Sequence, residues 1–258
     1  MPRVDMTVEI CGMSGDGTIA AGGLLNEAMS NAGFSVLAFD SYPAEIRGFG
    51  RCVTRSRIGD EEMLALSDET DVLISLDDEQ SRSRIPFLVK NSVVFFDNNP
   101  PSYIPEENSI ASHIEPGTSL FGIPFGDLAA GAAGNSVGRN LTALGGFAAL
   151  FGVPPEPFQE VIRKKFILKG EKVADANLKS FVAGYHFTLE TFADRIGKVF
   201  VIPEENERPE KVLLSGNSAI IQGALDSGLK LYFGYPITPA TPIMEYLAKA
   251  LPERGGRV

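Results

Sequence analysis

Residues 7–17, TVEICGMSGDG, decide the fold, because a short apolar run there leads directly into a loop with three glycines. Residues 7–11 predict a β-strand, and the Ala-, Leu- and Met-rich stretch 19–32 predicts the helix that follows the loop. The alternation continues, with strands predicted over 34–40, 54–58, 72–76 and 93–97 and helices over 140–151, 157–166 and 175–196. Residues 117–125 are interpreted as a loop. Strands that alternate with helices predict an α/β fold with a parallel sheet.

The composition excludes several classes of protein. Of the 258 residues, 44% are hydrophobic and 22% charged, which is typical of a soluble globular chain. A net charge of -10 disfavours nucleic acid and would also repel an acidic ferredoxin, so the electron-carrier dock is expected on another chain. The simpler interpretation is that this charge maintains solubility. The N-terminus lacks the apolar segment of a signal peptide, which predicts a cytoplasmic protein without a membrane span.

The sequence offers few metal ligands. Its two cysteines, Cys11 and Cys52, are fewer than the four thiolates that an iron–sulfur cluster requires. The two histidines, His113 and His186, are far apart and no zinc-binding spacing is present. We therefore expect core packing or incidental exposure for these four side chains, and no metal site built from them.

The glycine loop allows two interpretations. Glycines between a strand and a helix let the backbone approach a ligand, and the helix N-terminus can hold a phosphate. A tight turn without a ligand is an equally good explanation. The glycine order is G-x-x-G-x-G, not the G-x-G-x-x-G of a dinucleotide site, although Asp40 occupies the position of a ribose-binding acid. Asp16 would place a negative charge near a bound phosphate.

Residues 41–51, SYPAEIRGFGR, form a second polar loop after the second predicted strand. Arg47 and Arg51 could bind phosphate in this loop, because ligands bind at the carboxyl ends of strands in open α/β sheets. A solvated turn with a contact between Glu45 and Arg47 is the alternative.

Together, the glycine loop and the pattern Ser-Tyr-x-x-Glu-x-Arg-Gly resemble the gamma domain of the 2-oxoacid:ferredoxin oxidoreductases, as do residues 134–145 and 176–185. The family loop is of the Gly-Gly-Gln-Gly type; here Ser14, Gly15 and Asp16 occupy the Gly-Gly-Gln region, and Pro43-Ala44 replaces Gly-Pro. The resemblance implies a gamma domain over 1–197 that covers the active site and engages coenzyme A. The residues implied on the coenzyme-A side are Gly12, Ser14, Gly15, Asp16, Gly17, Ser41, Tyr42, Glu45, Arg47 and Gly48.

A charged, proline-containing stretch over 198–210 predicts a linker, and a new βαβα pattern follows over 211–258. Strands are predicted there over 212–215 and 229–234, and helices over 217–227 and 243–250. Between the second strand and the second helix lies YPITPATP, residues 235–242, in which prolines restrict the backbone. By itself this segment is explained by Thr238 or Thr241 capping the helix.

In its context, residues 211–258 resemble the first βαβα part of a thiamine-diphosphate-binding (pyrimidine) domain of the same enzymes. The resemblance implies that Thr238 contacts the substrate carboxylate, within a motif loop that comprises Tyr235, Pro236, Ile237 and Pro239. We expect the sequence to stop early in this domain, before the glutamate that contacts the aminopyrimidine ring, and the chain alone to be inactive.

The implied enzyme converts a 2-oxoacid, coenzyme A and oxidised ferredoxin into acyl-coenzyme A, carbon dioxide and reduced ferredoxin. Thiamine diphosphate with magnesium would be completed by residues or chains absent here, and iron–sulfur clusters would lie on a partner beta subunit that meets ferredoxin in a hetero-oligomer. A gamma domain fused ahead of the thiamine domain favours 2-oxoglutarate over pyruvate; an indolepyruvate or branched-chain 2-oxoacid stays open. The alternatives are an NAD-dependent Rossmann dehydrogenase and a stand-alone coenzyme-A- or nucleotide-binding regulatory protein.

Overall fold

The computed structural model describes residues 4–43, 50–100, 106–197, 199–201, 212–237 and 239–258. The chain divides into two compact units, Met1–Lys211 and Val212–Val258. The strands are β1 Asp5–Met13, β2 Ser35–Ser41, β3 Arg51–Gly59, β4 Thr70–Ser75, β5 Leu88–Asp97 and β6 Ser119–Ile123. The helices are α1 Thr18–Asn31, α2 Asp78–Ser81, α3 Phe125–Ala133, α4 Arg139–Leu150, α5 Glu156–Phe166, α6 Glu171–Thr191, α7 Gly216–Asp226 and α8 Thr241–Glu253.

One six-stranded sheet, ordered β2-β3-β1-β4-β5-β6, organises the first unit. The α/β prediction is confirmed, but the sheet is mixed: β3 runs antiparallel to both β1 and β2, while β1, β4, β5 and β6 pair in parallel. Strand β3 runs antiparallel to β2 because the connection between these two strands is short. A parallel return needs a crossover of about a dozen residues or more, whereas a short loop returns the chain antiparallel.

The loop predicted over 117–125 is wrong, because β6 lies within it and pairs with β5 from Val93↔Ser119 to Asp97↔Ile123. Phe121 and Ile123 alternate toward the core and are buried. A five-residue strand flanked by Gly117 and Pro124 gives only a short apolar signal, and turn residues on both sides obscure it.

Both faces of the sheet are covered. Val8 and Ile10 of β1 face the main core, which α1, α4, α5 and α6 complete, while Cys11 belongs to a smaller cluster on the other face. Helices α4 and α6 approach closely at two glycines: a Cβ on Gly184 would lie 2.0 Å from the Thr142 carbonyl oxygen, and one on Gly145 would lie 2.1 Å from that of Phe181. This packing holds the N-terminus of α4 in place at the carboxyl edge of the sheet.

The second unit is a small pair of helices. Ile221 and Leu225 of α7 pack on Leu247 and Leu251 of α8. The strands predicted over 212–215 and 229–234 are not formed as regular strands; within the described residues of this unit, pairing is limited to a parallel bridge between Leu231 and Arg257. A strand requires a hydrogen-bonded neighbour along its length, and here that neighbour is a single residue.

Among the described residues, no helix has the length and hydropathy required to cross a lipid bilayer.

Candidate functional site

The glycine loop between β1 and α1 lies at the carboxyl edge of the parallel strands. Gly15 and Gly17 adopt φ angles of 110° and 78°, in the left-handed region that glycine enters without strain. The loop is tied at its base: the Asp16 N–H donates to the Met13 carbonyl at 3.0 Å, and the Ser14 N–H donates to the Gly50 carbonyl at 2.9 Å. The glycines therefore serve a fixed, tight turn rather than a mobile segment.

The Asp16 carboxylate turns back into the loop. Its Oδ2 accepts from the Met13 N–H at 2.8 Å, and its Oδ1 lies 3.7 Å from the Arg139 guanidinium. Burial raises the pKa of Asp16, while the Met13 hydrogen bond and Arg139 act in the opposite direction. The sequence suggested a negative charge facing a bound phosphate; the structure places that charge at the base of the loop, beside a cation.

A cleft of about 420 Å³ opens between this loop and the end of β2. Its volume lies within the usual range for small-molecule sites. The Thr18 hydroxyl is buried and has no hydrogen-bond partner among the described residues. The lining residues are Met13, Ser14, Gly15, Gly17, Thr18, Ile19, Ala20, Tyr42, Pro43 and Cys52.

The first turn of α1 forms one wall of the cleft and can bind an anion. Gly17 is the N-cap and makes no side-chain cap, and the first intrahelical bond runs from the Ala21 N–H to the Gly17 carbonyl at 2.9 Å. The N–H groups of the preceding three residues have no acceptor within the helix and carry the positive end of its dipole. A glycine loop leading into such a turn is a common phosphate site.

Both predicted loops contribute residues to this cleft, but some of the predicted residues do not line it. From the second loop, Tyr42 lines the cleft, and Ser41 pairs with Val53 at the end of β2. Arg51 does not line the cleft; its guanidinium donates to Ser83 Oγ at 2.6 Å, which differs from the predicted phosphate contact. Glu45, Arg47 and Gly48 lie outside the described residues.

The geometry disagrees with a dinucleotide site. Strand β3 lies between β1 and β2, so Asp40 is not on a strand adjacent to the glycine loop. Its carboxylate instead accepts from the Thr54 hydroxyl at 2.8 Å. In a Rossmann unit the ribose-binding acid follows the strand next to the fingerprint loop, and this requirement is not met here.

Sequence reasoning missed several side chains at this edge. Cys52 was expected in the core or at an incidental position, yet it lines the cleft opposite Gly12, and burial raises the pKa of its thiol. At the start of α4, Arg139 lies near Asp16, and Asn140 Nδ2 donates to the Gly17 carbonyl at 3.1 Å. The sequence signal that could have indicated Arg139 and Asn140 is that two polar residues begin a buried helix.

In the second unit, the motif loop leads into α8. Tyr235 and Ile237 are exposed, and the Ile237 carbonyl accepts from the Thr241 N–H at 3.0 Å. The Pro239 carbonyl accepts from Asn217 Nδ2 at 2.8 Å, which connects the loop to α7. Ala240 is the N-cap of α8 and makes no side-chain cap, so the predicted capping by Thr241 is wrong. Thr238 lies outside the described residues.

The described residues offer no site for the magnesium ion that would accompany thiamine diphosphate. No group of three or more His, Cys, Asp and Glu side chains within the described ranges is placed to hold a metal ion. Both cysteines are free and buried, Cys11 in the small core cluster and Cys52 at the cleft.

Known proteins are similar to this chain in sequence and in fold. A family model described as pyruvate ferredoxin/flavodoxin oxidoreductase matches residues 7–187. Subunit KorC of 2-oxoglutarate synthase from Archaeoglobus fulgidus is 27% identical over 186 residues, which cover 72% of this chain and 88% of KorC. Subunit KorA from Methanothermobacter thermautotrophicus is 45% identical over 47 residues, 18% of this chain and 12% of KorA.

A solved structure is similar to nearly the whole chain. It is the 2-oxoglutarate:ferredoxin oxidoreductase from Magnetococcus marinus with 2-oxoglutarate, coenzyme A and succinyl-CoA bound. The similarity has a TM-score of 0.82 with 28% sequence identity and covers 99% of this chain. This chain spans 43% of the length of that one.

Proposed function

Because the chain belongs to the pyruvate ferredoxin/flavodoxin oxidoreductase family, we propose that it supplies the coenzyme-A side of a 2-oxoacid:ferredoxin oxidoreductase. The observation that carries this proposal is the cleft where the glycine loop meets the N-terminus of α1. In this proposal residues 1–197 form the gamma domain, 198–210 a linker, and 211–258 the start of a pyrimidine-binding domain.

The chemistry of the cleft suits the phosphates of coenzyme A. The first-turn N–H groups of α1 point their dipole toward the cleft, and the Thr18 hydroxyl at 2% exposure has no partner within the described chain. Asp16, the acidic side chain of the loop, is turned away and lies beside Arg139. An anion at the first turn of α1 therefore meets N–H donors, while the carboxylate of Asp16 is held by Met13 and Arg139.

The substrate in this proposal is 2-oxoglutarate, which the complex would decarboxylate oxidatively to an acyl-coenzyme A while ferredoxin is reduced. The KorC and KorA relatives belong to 2-oxoglutarate synthases, and the similar Magnetococcus marinus structure holds 2-oxoglutarate and coenzyme A. Thr238 would contact the substrate carboxylate, and a beta subunit would carry the iron–sulfur clusters and meet ferredoxin. Thiamine diphosphate and magnesium would be held by residues or chains beyond those described.

The test is calorimetric titration of the full 258-residue chain with desulfo-coenzyme A, a thiol-free analogue, and separately with NADH. We expect saturable binding of the analogue and none of NADH. The opposite pattern would revive the nucleotide-dependent dehydrogenase, and binding of neither ligand would contradict the coenzyme-A role.

An internal control comes from the two cysteines. Cys52 lines the cleft, whereas Cys11 belongs to the core cluster on the other face of the sheet. Bound desulfo-coenzyme A should slow alkylation of Cys52 by N-ethylmaleimide, measured by peptide mass, and leave the slow alkylation of Cys11 unchanged. Equal protection of both would indicate general stabilisation instead of occupancy of the cleft.

A further inference from the structure

Arg139, the first residue of α4, lies between two carboxylates at the carboxyl edge of the sheet. Its Nη1 is 3.7 Å from Asp16 Oδ1 in the glycine loop, and its Nη2 is 3.9 Å from Asp97 Oδ2 at the end of β5. The same Nη2 donates to the Leu76 carbonyl, which follows β4. One guanidinium therefore connects the segments that follow three neighbouring strands.

This cluster is poorly solvated and incompletely hydrogen-bonded. The side chains of Arg139 and Asp97 are 18% and 4% exposed. Asp97 Oδ2 and Arg139 Nε are buried and have no hydrogen-bond partner among the described residues. Burial raises the pKa of Asp97, and a hydrogen bond from the Asn99 N–H and then Arg139 oppose that rise. At Asp16 the Met13 N–H and then Arg139 oppose the rise in pKa, to which the charge of Asp77 adds. The guanidinium is thus the cation that compensates the buried carboxylate of Asp97 and the partly buried carboxylate of Asp16. It acts through electrostatic contacts longer than hydrogen bonds.

The neighbouring residue fixes the same loop from the helix side. Asn140 Nδ2 donates to the Gly17 carbonyl, and a Cβ on Gly17 would lie 2.5 Å from that nitrogen. Two consecutive residues of α4 thus contact two consecutive residues of the glycine loop. Asn140 sets the position of the loop by a hydrogen bond, and Arg139 acts on its charge.

We propose that Arg139 is a positioning residue that neutralises Asp16 and so allows the glycine loop to bind the phosphates of coenzyme A. The inference rests on the proposed function. Asp16 lies in the loop between Gly15 and Gly17, which both line the cleft, so an uncompensated charge there would repel an anion bound at the loop. Arg139 does not line the cleft and acts through the loop.

Four variants test the proposal through the affinity for desulfo-coenzyme A: R139M, R139K, D16N and D16N/R139M. R139M leaves Asp16 uncompensated and should weaken binding about tenfold or more, the effect of a repulsion near 1.4 kcal/mol. R139K keeps the cation and should retain most of the affinity. D16N removes the charge while its side-chain oxygen still accepts from the Met13 N–H and keeps the loop in place. It should therefore bind at least as tightly as wild type.

The double variant separates charge compensation from a structural role. If Arg139 acts by neutralising Asp16, D16N/R139M should recover most of the affinity that R139M loses. If Arg139 only braces α4 against the sheet, the double variant will stay as weak as R139M, and the proposal is overturned. R163M is the matched control: it removes an arginine of α5 that pairs with Glu171 of α6, both half-exposed and outside the cleft, and should not change the affinity.

A pH series supplies a signature that a bracing role would not show. Loss of Arg139 removes an interaction that lowers the pKa of Asp16, so in R139M more of this carboxyl is protonated as the pH falls. The affinity of R139M should therefore rise as the pH is lowered, relative to the double variant, which corrects for titration of the ligand's own phosphate. Parallel profiles for the two variants would contradict the inference.

Failure of the inference and failure of the proposed function are distinguishable. Wild-type protein that does not bind desulfo-coenzyme A refutes the function, and the neutralisation of Asp16 by Arg139 is then decided without ligand. Carbon-detected NMR of Asp-labelled full-length chain should show a higher Asp16 pKa in R139M than in wild type. An unchanged pKa in the folded variant overturns the inference whatever the ligand.

Discussion

The two units differ in how completely their apolar side chains are buried. In the first unit, the cores on the two faces of the sheet include fully buried Phe95, Phe147 and Phe181. In the second unit, four buried side chains join two helices, while Phe233 and Tyr235 are 88% and 77% exposed. The motif loop of the second unit is therefore easy to recognise in the sequence, although few buried contacts fix its geometry.

The largest expected effect breaks the dense packing of the first unit. G184A places a methyl group 2.0 Å from the Thr142 carbonyl oxygen, which belongs to the backbone of α4 and has no rotamer to adopt. Helices α4 and α6 would have to separate, and we expect a loss of about 4 kcal/mol in the free energy of unfolding, or failure to fold. Denaturant unfolding followed by circular dichroism measures this loss.

Gly131 on α3 provides the matched control. A Cβ there meets nothing within 4 Å, so G131A adds the same methyl group to a helix of the same unit without a clash. Removing a helical glycine should raise the free energy of unfolding by up to about 1 kcal/mol. Equal effects of the two substitutions would show that the contact between α4 and α6 is looser than described.

The next effect concerns a buried charge on the other face of the sheet. Glu9 of β1 is 0% exposed and accepts from Arg55 Nε at 2.5 Å and from Arg84 Nε and Nη2 at 2.8 Å. Phe87 covers the Arg84 guanidinium, with 4.1 Å between the guanidinium carbon and the ring centroid. E9Q leaves two largely buried guanidinium groups without their anion, which should cost about 3 kcal/mol in denaturant unfolding.

The control for E9Q is an exposed ion pair between β1 and β3, the strands that carry Glu9 and Arg55. Arg57 donates to Asp5 at 2.7 Å, and the two side chains are 25% and 38% exposed. D5N should change the free energy of unfolding by no more than about 1 kcal/mol, because solvent screens an exposed pair. If E9Q were equally mild, water would have to reach the arginines, and the cover formed by Phe87 would be incomplete.

The difference between the two units also affects how much of the fold the sequence could predict. Five strands and the longer helices of the first unit were predictable because Val8, Ile10 and their equivalents in later strands form short buried runs that alternate with helical stretches. Helix α3 was not predicted. The direction of β3 was not, since strand orientation depends on which neighbour supplies the hydrogen bonds and leaves no mark in the hydrophobic pattern. β6 was missed because its five residues lie between turn residues.

The site was predictable in position but not in detail. A glycine loop at the end of the first strand indicated the cleft, and Ser14, Gly15, Gly17 and Tyr42 line it. The cation beside Asp16 was not predictable, because Arg139 lies more than a hundred residues later in the chain. The position of Cys52 was not predictable either, because it depends on the antiparallel pairing that brings Cys52 opposite Gly12.

The smallest expected effect tests the second unit. Gly223 lies in α7, and a Cβ there meets nothing within 4 Å. G223A should stabilise the helix pair by about 1 kcal/mol, since alanine restricts the unfolded chain and favours the helix. Amide hydrogen exchange should slow in α7 and α8 and stay unchanged in α1 and α4. Slower exchange throughout both units would mean that they unfold together, and no change in α7 would mean that Gly223 is already held by a contact beyond the helix pair.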